Sequence, residues 1–80
     1  MYYTYIIQSE KTGNYYIGST KSIPERIRRH NCGFTKSTKG KGPFRLIYQE
    51  VYHTRVKAYS RERQIKNYKG GQAFKRLIQT

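Results

Sequence analysis

Five side chains in this sequence have the types that cleavage of a phosphodiester requires: the phenols of Tyr5 and Tyr16, the guanidinium of Arg26, the imidazole of His30 and the carboxylate of Glu62. A phenol or imidazole can accept or relay a proton. A guanidinium can stabilise charge building on a phosphate, and a carboxylate can carry a divalent metal. Each also has an ordinary alternative. Strand tyrosines usually pack, which is the reading for Tyr2, Tyr3, Tyr15, Tyr48 and Tyr52. Arg26 stands near Arg28 and Arg29 and could be one more solvated helix arginine, and His30 could be a half-buried histidine near a helix end.

Glu62 is the most informative of the five. Ala58, Glu62 and Ile65 fall at i, i+4 and i+7 of one expected helix, so the carboxylate points with the apolar stripe and needs a partner. That partner is either Lys66, at i+4 in a plain intrahelical pair, or a divalent metal. The other acids are spent elsewhere: Glu10 in a turn, Glu25 at a helix start, Glu50 on a strand. No carboxylate cluster can hold two metals, and what the inventory allows is a single Mg²⁺ or Mn²⁺ on Glu62, completed by water and phosphate oxygens. A phenol with a pKa of ~10 is a poor base, but a metal-bound hydroxide, arginine or lysine beside Tyr5 or Tyr16 would favour the ionised form.

The elements that must position these groups follow from local chemistry. Tyr2 to Ile7 is β-forming with little polar alternation and predicts a central strand covered on both faces. Gly13 and Asn14 supply a turn, and Tyr15 to Ser19 resumes as the second arm of an antiparallel hairpin. An even loop would put Tyr5 and Tyr16 on one side, an odd loop on opposite sides. Gly18 would let a backbone approach closely. Ser22-Ile23-Pro24-Glu25 has the form of a capping box, so a helix starts there, runs to about Asn31 or Cys32 and stops at Gly33, with Arg26 and His30 on one face. Residues 34–42 mix Thr, Ser and Gly with Lys36, Lys39 and Lys41 and predict a basic loop closed by Pro43. Phe44 to Tyr52 reads as a third strand. Thr54 caps a second helix reaching about Tyr68, and a third runs from Gln72 with Phe74, Leu77 and Ile78 on its apolar side. The order is β-β-α-β-α-α.

Eighty residues make one small domain, near the lower size at which a single core holds unaided. Nine tyrosines and three phenylalanines enlarge that core although only 35% of residues are hydrophobic. Seventeen Lys and Arg against four Glu and no Asp give a net charge of +13, which asks for an anionic partner, nucleic acid first. No apolar run approaches the length of a spanning helix, and the N-terminus lacks a signal-peptide layout. A lone cysteine, Cys32, forms no internal disulfide. The expectation is a soluble, cytoplasmic protein.

In this order the residues resemble the GIY-YIG nuclease superfamily, and within it the short stand-alone bacterial members, over nearly the whole chain. The second motif is intact as Tyr16-Ile17-Gly18, followed by Ser19-Thr20. The family arginine matches Arg26 within Arg26-Ile27-Arg28-Arg29-His30-Asn31, and the metal-binding glutamate matches Glu62 within Arg61-Glu62-Arg63-Gln64-Ile65-Lys66. The first motif departs, with Tyr3-Thr4-Tyr5 where Gly-Ile-Tyr would stand, though its tyrosine is kept as Tyr5. The resemblance implies an α+β fold with a three-stranded antiparallel sheet flanked by helices, a divalent metal, and hydrolysis of DNA with low sequence specificity, in repair or recombination. It implies a tyrosine that accepts or orients water's proton, Arg26 and His30 on the phosphate, and Glu62 on the metal. Lys36, Lys39, Lys41 and Arg45 would then grip phosphates without reading bases. DNA is the expected partner, with RNA left open. The rival reading keeps the scaffold and charge but no turnover: a basic nucleic-acid-binding module.

Overall fold

Tyr2–Ser9 forms the central strand β1, with β2 (Tyr15–Thr20) and β3 (Phe44–Tyr52) antiparallel on either side. Three helices, α1 (Ile23–Asn31), α2 (Arg55–Lys66) and α3 (Gln72–Ile78), complete the order β-β-α-β-α-α. The computed structural model describes residues 1–33 and 39–79, so Lys36 lies outside the described residues. Among those described, no helix is long and apolar enough to cross a membrane.

The unalternating β-run of β1 suits its place, because Thr4, Tyr5, Ile6 and Ile7 are all buried. Two small cores result. Tyr5, Ile7, Ile23 and Phe44 pack on the α1 side, and Ile6, Ile65 and Phe74 on the side of α2 and α3, joined there by Leu77 and Ile78. Opposite Ile6 and Ile7 the register of β3 jumps from Tyr48 to Leu46, leaving Ile47 as the extra residue of a bulge.

Caps behave as their chemistry demands. The Ser22 side chain accepts the Glu25 N–H at the head of α1, and the Thr54 side chain accepts the Lys57 N–H at the head of α2. Gly33 ends α1 at φ 80°, a left-handed backbone that a side chain would strain. Helix α2 stops at Lys66 rather than at Tyr68.

The hairpin settles the parity that residue types left open. Gln8 faces Tyr15 with an even number of residues between them, so Tyr16 lies opposite Ile7 and Gly18 opposite Tyr5. Both tyrosines therefore project to the α1 side.

Candidate active site

Tyr5 is 3% exposed, and its ring crosses the neighbouring strand at Gly18. A Cβ on Gly18 would sit 2.7 Å from Tyr5 Cζ and nearer still to the hydroxyl, so the glycine makes room for this ring rather than for an approaching backbone. Beyond it, Tyr5 Oη lies 3.2 Å from His30 Nε2, the rings meeting edge-on at 6.3 Å between centroids. Only half of the expected capping box forms, since the Ser22 N–H donates to Thr20 Oγ1 at 3.2 Å rather than to Glu25, and α1 turns His30 inward to Phe44 and Tyr5. Burial, helped by the charges of Arg26 and Arg29, lowers the His30 pKa, which favours a neutral ring. Burial also raises the Tyr5 phenol. Arg26 pulls it down, but less strongly, and Glu62 pushes it up. The expectation that a neighbouring cation would favour a Tyr5 phenolate is therefore corrected by its depth in the core.

Glu62 lies on the other side of the sheet. Even-numbered side chains of β1 face α2, where the Thr4 hydroxyl donates to the Ala58 carbonyl at 2.7 Å. Ser19, opposite Thr4, shares that face, and its hydroxyl donates to Glu62 Oε1 at 2.8 Å. Lys66 Nζ donates to Glu62 Oε2 at 2.7 Å, so the intrahelical pair is present. The apolar stripe holds as read, with Ala58, Glu62 and Ile65 all buried.

These two sides meet where β2 ends. A cavity of about 520 Å³ is lined by Ser19, Lys21, Arg26, Arg55, Tyr59 and Glu62, among others, so Arg26 from α1 and Glu62 from α2 reach one space around the sheet edge. The fields of both reach Tyr5 as well. Tyr5 and His30 do not line this cavity: Tyr5 is buried against Gly18 and senses Arg26 and Glu62 through their charges. Tyr16 packs against the core that holds Tyr5, its ring edge-on to Phe44 at 5.5 Å and Lys41 Nζ 5.8 Å from its centroid, and like Tyr5 it does not line the cavity. Arg45, opposite Gln8, donates to that side chain at 3.4 Å, and Lys39 lies near Gly33. Lys39, Lys41 and Arg45 therefore stand toward the other end of the sheet, and the lysine and arginines at the cavity are Lys21, Arg26 and Arg55.

Can this donor set hold a metal? Among the described residues no three His, Cys, Asp or Glu side chains gather, so a cation would have Glu62 as its carboxylate. The oxygen donors suit a hard ion, and Oε2 already holds a cation, the ammonium of Lys66. That lysine side chain is 53% exposed and can swing into water. With Lys66 swung away, the Glu62 carboxylate is an oxygen donor of the kind a hard divalent ion takes.

Residue types alone missed Ser19 as the anchor of Glu62, and they missed a second polar cluster. Glu50 accepts hydrogen bonds from the Tyr48 and Tyr52 hydroxyls and from the Arg61 fork, Nε to Oε1 at 2.9 Å and Nη2 to Oε2 at 3.1 Å. Burial alone would raise the Glu50 carboxyl, but these bonds and the Arg61 charge outweigh it and hold its pKa below the usual value. Burial and the bond to Glu50 push Tyr52 up to about 12. The clue was there: residues 48, 50 and 52 alternate onto one strand face, setting two phenols beside an acid in an acid-poor chain.

The chain belongs to the GIY-YIG family, whose catalytic-domain model matches residues 1–75, and with it to a nuclease superfamily. Its relatives are UPF0213 proteins. One from Staphylococcus saprophyticus is 41% identical over 68 residues, spanning 84% of this chain and 82% of that protein. Another, from Staphylococcus aureus, is 38% identical over the same shares. The solution NMR structure of a UPF0213 protein from Bacillus halodurans matches 99% of this chain and 84% of its own, with a TM-score of 0.61 and 30% identity. The three-stranded sheet with three helices is the fold of that family.

Proposed function

We propose that the cavity at the β2 edge is the active site of a metal-dependent endonuclease that hydrolyses phosphodiester bonds of DNA with little base selectivity, working in the cytoplasm in repair or recombination. The observation that carries this reading is the meeting of Arg26 and Glu62 in one cavity from helices on opposite faces of the sheet. A paired guanidinium and carboxylate would be an ordinary ion pair; here Glu62 is held by Ser19 and Lys66. That leaves Arg26 for an anion.

In this reading the Arg26 guanidinium takes two oxygens of the scissile phosphate and stabilises the charge that grows as water attacks phosphorus. Ser19 orients the Glu62 carboxylate, which would hold Mg²⁺ or Mn²⁺ in place of Lys66. When bound, such an ion supplies Lewis-acid stabilisation of the phosphate and the leaving oxygen. The proton from the attacking water needs an acceptor, and a neutral Tyr5 paired with a neutral His30 can serve without becoming a phenolate. Tyr5 does not line the cavity, so the substrate must bring the attacking water to its hydroxyl; as Tyr5 Oη takes water's proton, its own proton moves to His30 Nε2, the water oxygen bonds to phosphorus and the P–O bond to the leaving oxygen breaks. Tyr16, on the same face as Tyr5, is the alternative acceptor of this proton.

The partners that Glu62 already has in Ser19 and Lys66 favour a second reading, a basic module that binds nucleic acid without cutting it. Nicking of supercoiled plasmid with Mg²⁺ or Mn²⁺, against a chelator control, separates the two. Turnover that Arg26→Ala abolishes supports the nuclease. Salt-dependent binding with no nicking under either metal supports the module.

A further inference from the structure

We propose that the mouth of the same cavity is a subsite for an unpaired nucleotide next to the phosphate at Arg26, with Tyr59 as the surface on which its base stacks and Lys21 and Arg55 as grips on adjoining phosphates. The inference rests on the reading of this cavity as a nucleic-acid site and adds which flanking group it recognises. A single exposed tyrosine is unremarkable by itself. Tyr59 differs in its company. It is 52% exposed, it lines a cavity whose floor is the buried pair Ala58 and Glu62, and exposed Lys21 and Arg55 share that lining.

The ring is also braced. The Arg63 guanidinium, one turn on along α2, lies over the ring at 6.0 Å from its centroid. Lys21 is directed in the same way, its ammonium 5.6 Å from the centroid of the half-buried Tyr2 ring. A cavity lined by both cations and aromatic rings suits a nucleic-acid strand with open bases, because phosphates meet the cations and any base has a face to stack. An acidic peptide would satisfy Lys21 and Arg55 but leave the Tyr59 face unused. A duplex hides its base faces within the stack. The cavity, about 520 Å³, is within the usual range for a small-ligand site.

The test uses the full chain in chelator, so that nothing is cut, and a short single-stranded oligonucleotide carrying a fluorescent adenine analogue whose emission stacking quenches. The intact protein should quench it on binding. Tyr59→Ala should lose the quench and bind about tenfold more weakly, while Tyr59→Phe keeps both. Lys21→Ala and Arg55→Ala should each reduce the slope of log affinity against log salt by about one, a slope that Tyr59→Ala leaves alone. Binding of the fully paired duplex should be indifferent to Tyr59. The inference is overturned if Tyr59→Ala quenches and binds the single strand like the intact protein, or weakens strand and duplex equally; in either case the nuclease reading survives. Failure of the intact protein to bind any DNA would instead sink the proposed function itself.

Discussion

Replacing Gly18 with alanine tests the core of the site through one methyl group. The added carbon would lie 2.7 Å from Tyr5 Cζ, against the ~3.5–4.0 Å at which carbon atoms make contact, so the ring must retreat by about 1 Å. Tyr5 is buried among Ile7, Ile23 and Phe44 and has little room to do so. Overpacking of this kind costs about 1–3 kcal/mol, which for a chain of this size lowers Tm by roughly 5–20 °C. A shift of that size disturbs the 3.2 Å contact between Tyr5 and His30, and the proposed proton path with it. Nicking should then fall by about a hundredfold or more under conditions where the variant stays folded. Thermal unfolding and plasmid nicking read both effects, and a double-mutant cycle isolates the cause. In a Tyr5→Leu background the shorter side chain leaves space, so the same alanine should cost much less stability. An equal cost in both backgrounds, or an alanine variant as stable and active as the parent, would refute the packing argument.

Three further outcomes follow from the same geometry. His30 has a folded pKa below the ordinary 6.5, so its contribution to stability is full above that pH and is lost as pH falls through the lower folded value; denaturant unfolding between about pH 5 and pH 8 should show the decline, and His30→Asn should flatten it. Lys66→Ala removes the ammonium from Glu62 Oε2 and should tighten Mn²⁺ binding by about twofold to fivefold, followed by the paramagnetic resonance signal of free ion; weaker binding would mean that the lysine helps to hold the site open. Glu50→Gln leaves the Arg61 fork without its counter-charge in a setting where Arg61 is only 21% exposed, and should lower stability by about 2–3 kcal/mol in urea unfolding, while a loss below about 0.5 kcal/mol would show the clamp to be idle.

The sequence was most legible where local chemistry decides. Ser22, Pro24, Glu25 and Gly33 bound α1, Thr54 heads α2, and the unbroken β-run of residues 2–7 marks the strand with neighbours on both sides. The stripe of Ala58, Glu62 and Ile65 was readable too, because helical period alone turns the three inward. What residue types could not supply was long-range. Whether Tyr16 joins Tyr5 depends on one loop residue, and the face on which α2 packs decides that Glu62 approaches from behind the sheet and meets Arg26 only at its edge. The behaviour of Tyr5 was misjudged for the same reason. A phenol beside arginine suggests easy ionisation until three-dimensional packing buries it, and then desolvation outweighs the nearby charge. Lys21, Arg55 and Tyr59, scattered in sequence, are gathered in the lining of one cavity only by the fold.

The most direct test is the rate of plasmid nicking in Mn²⁺ by the parent and by Glu62→Gln, a variant that keeps the shape of the side chain and its acceptance of the Ser19 hydroxyl but loses the charge. The parent rate should depend on metal and drop by about a hundredfold or more in the variant, with DNA affinity and its salt dependence nearly unchanged. A variant that cuts as fast as the parent would contradict the proposed role of Glu62.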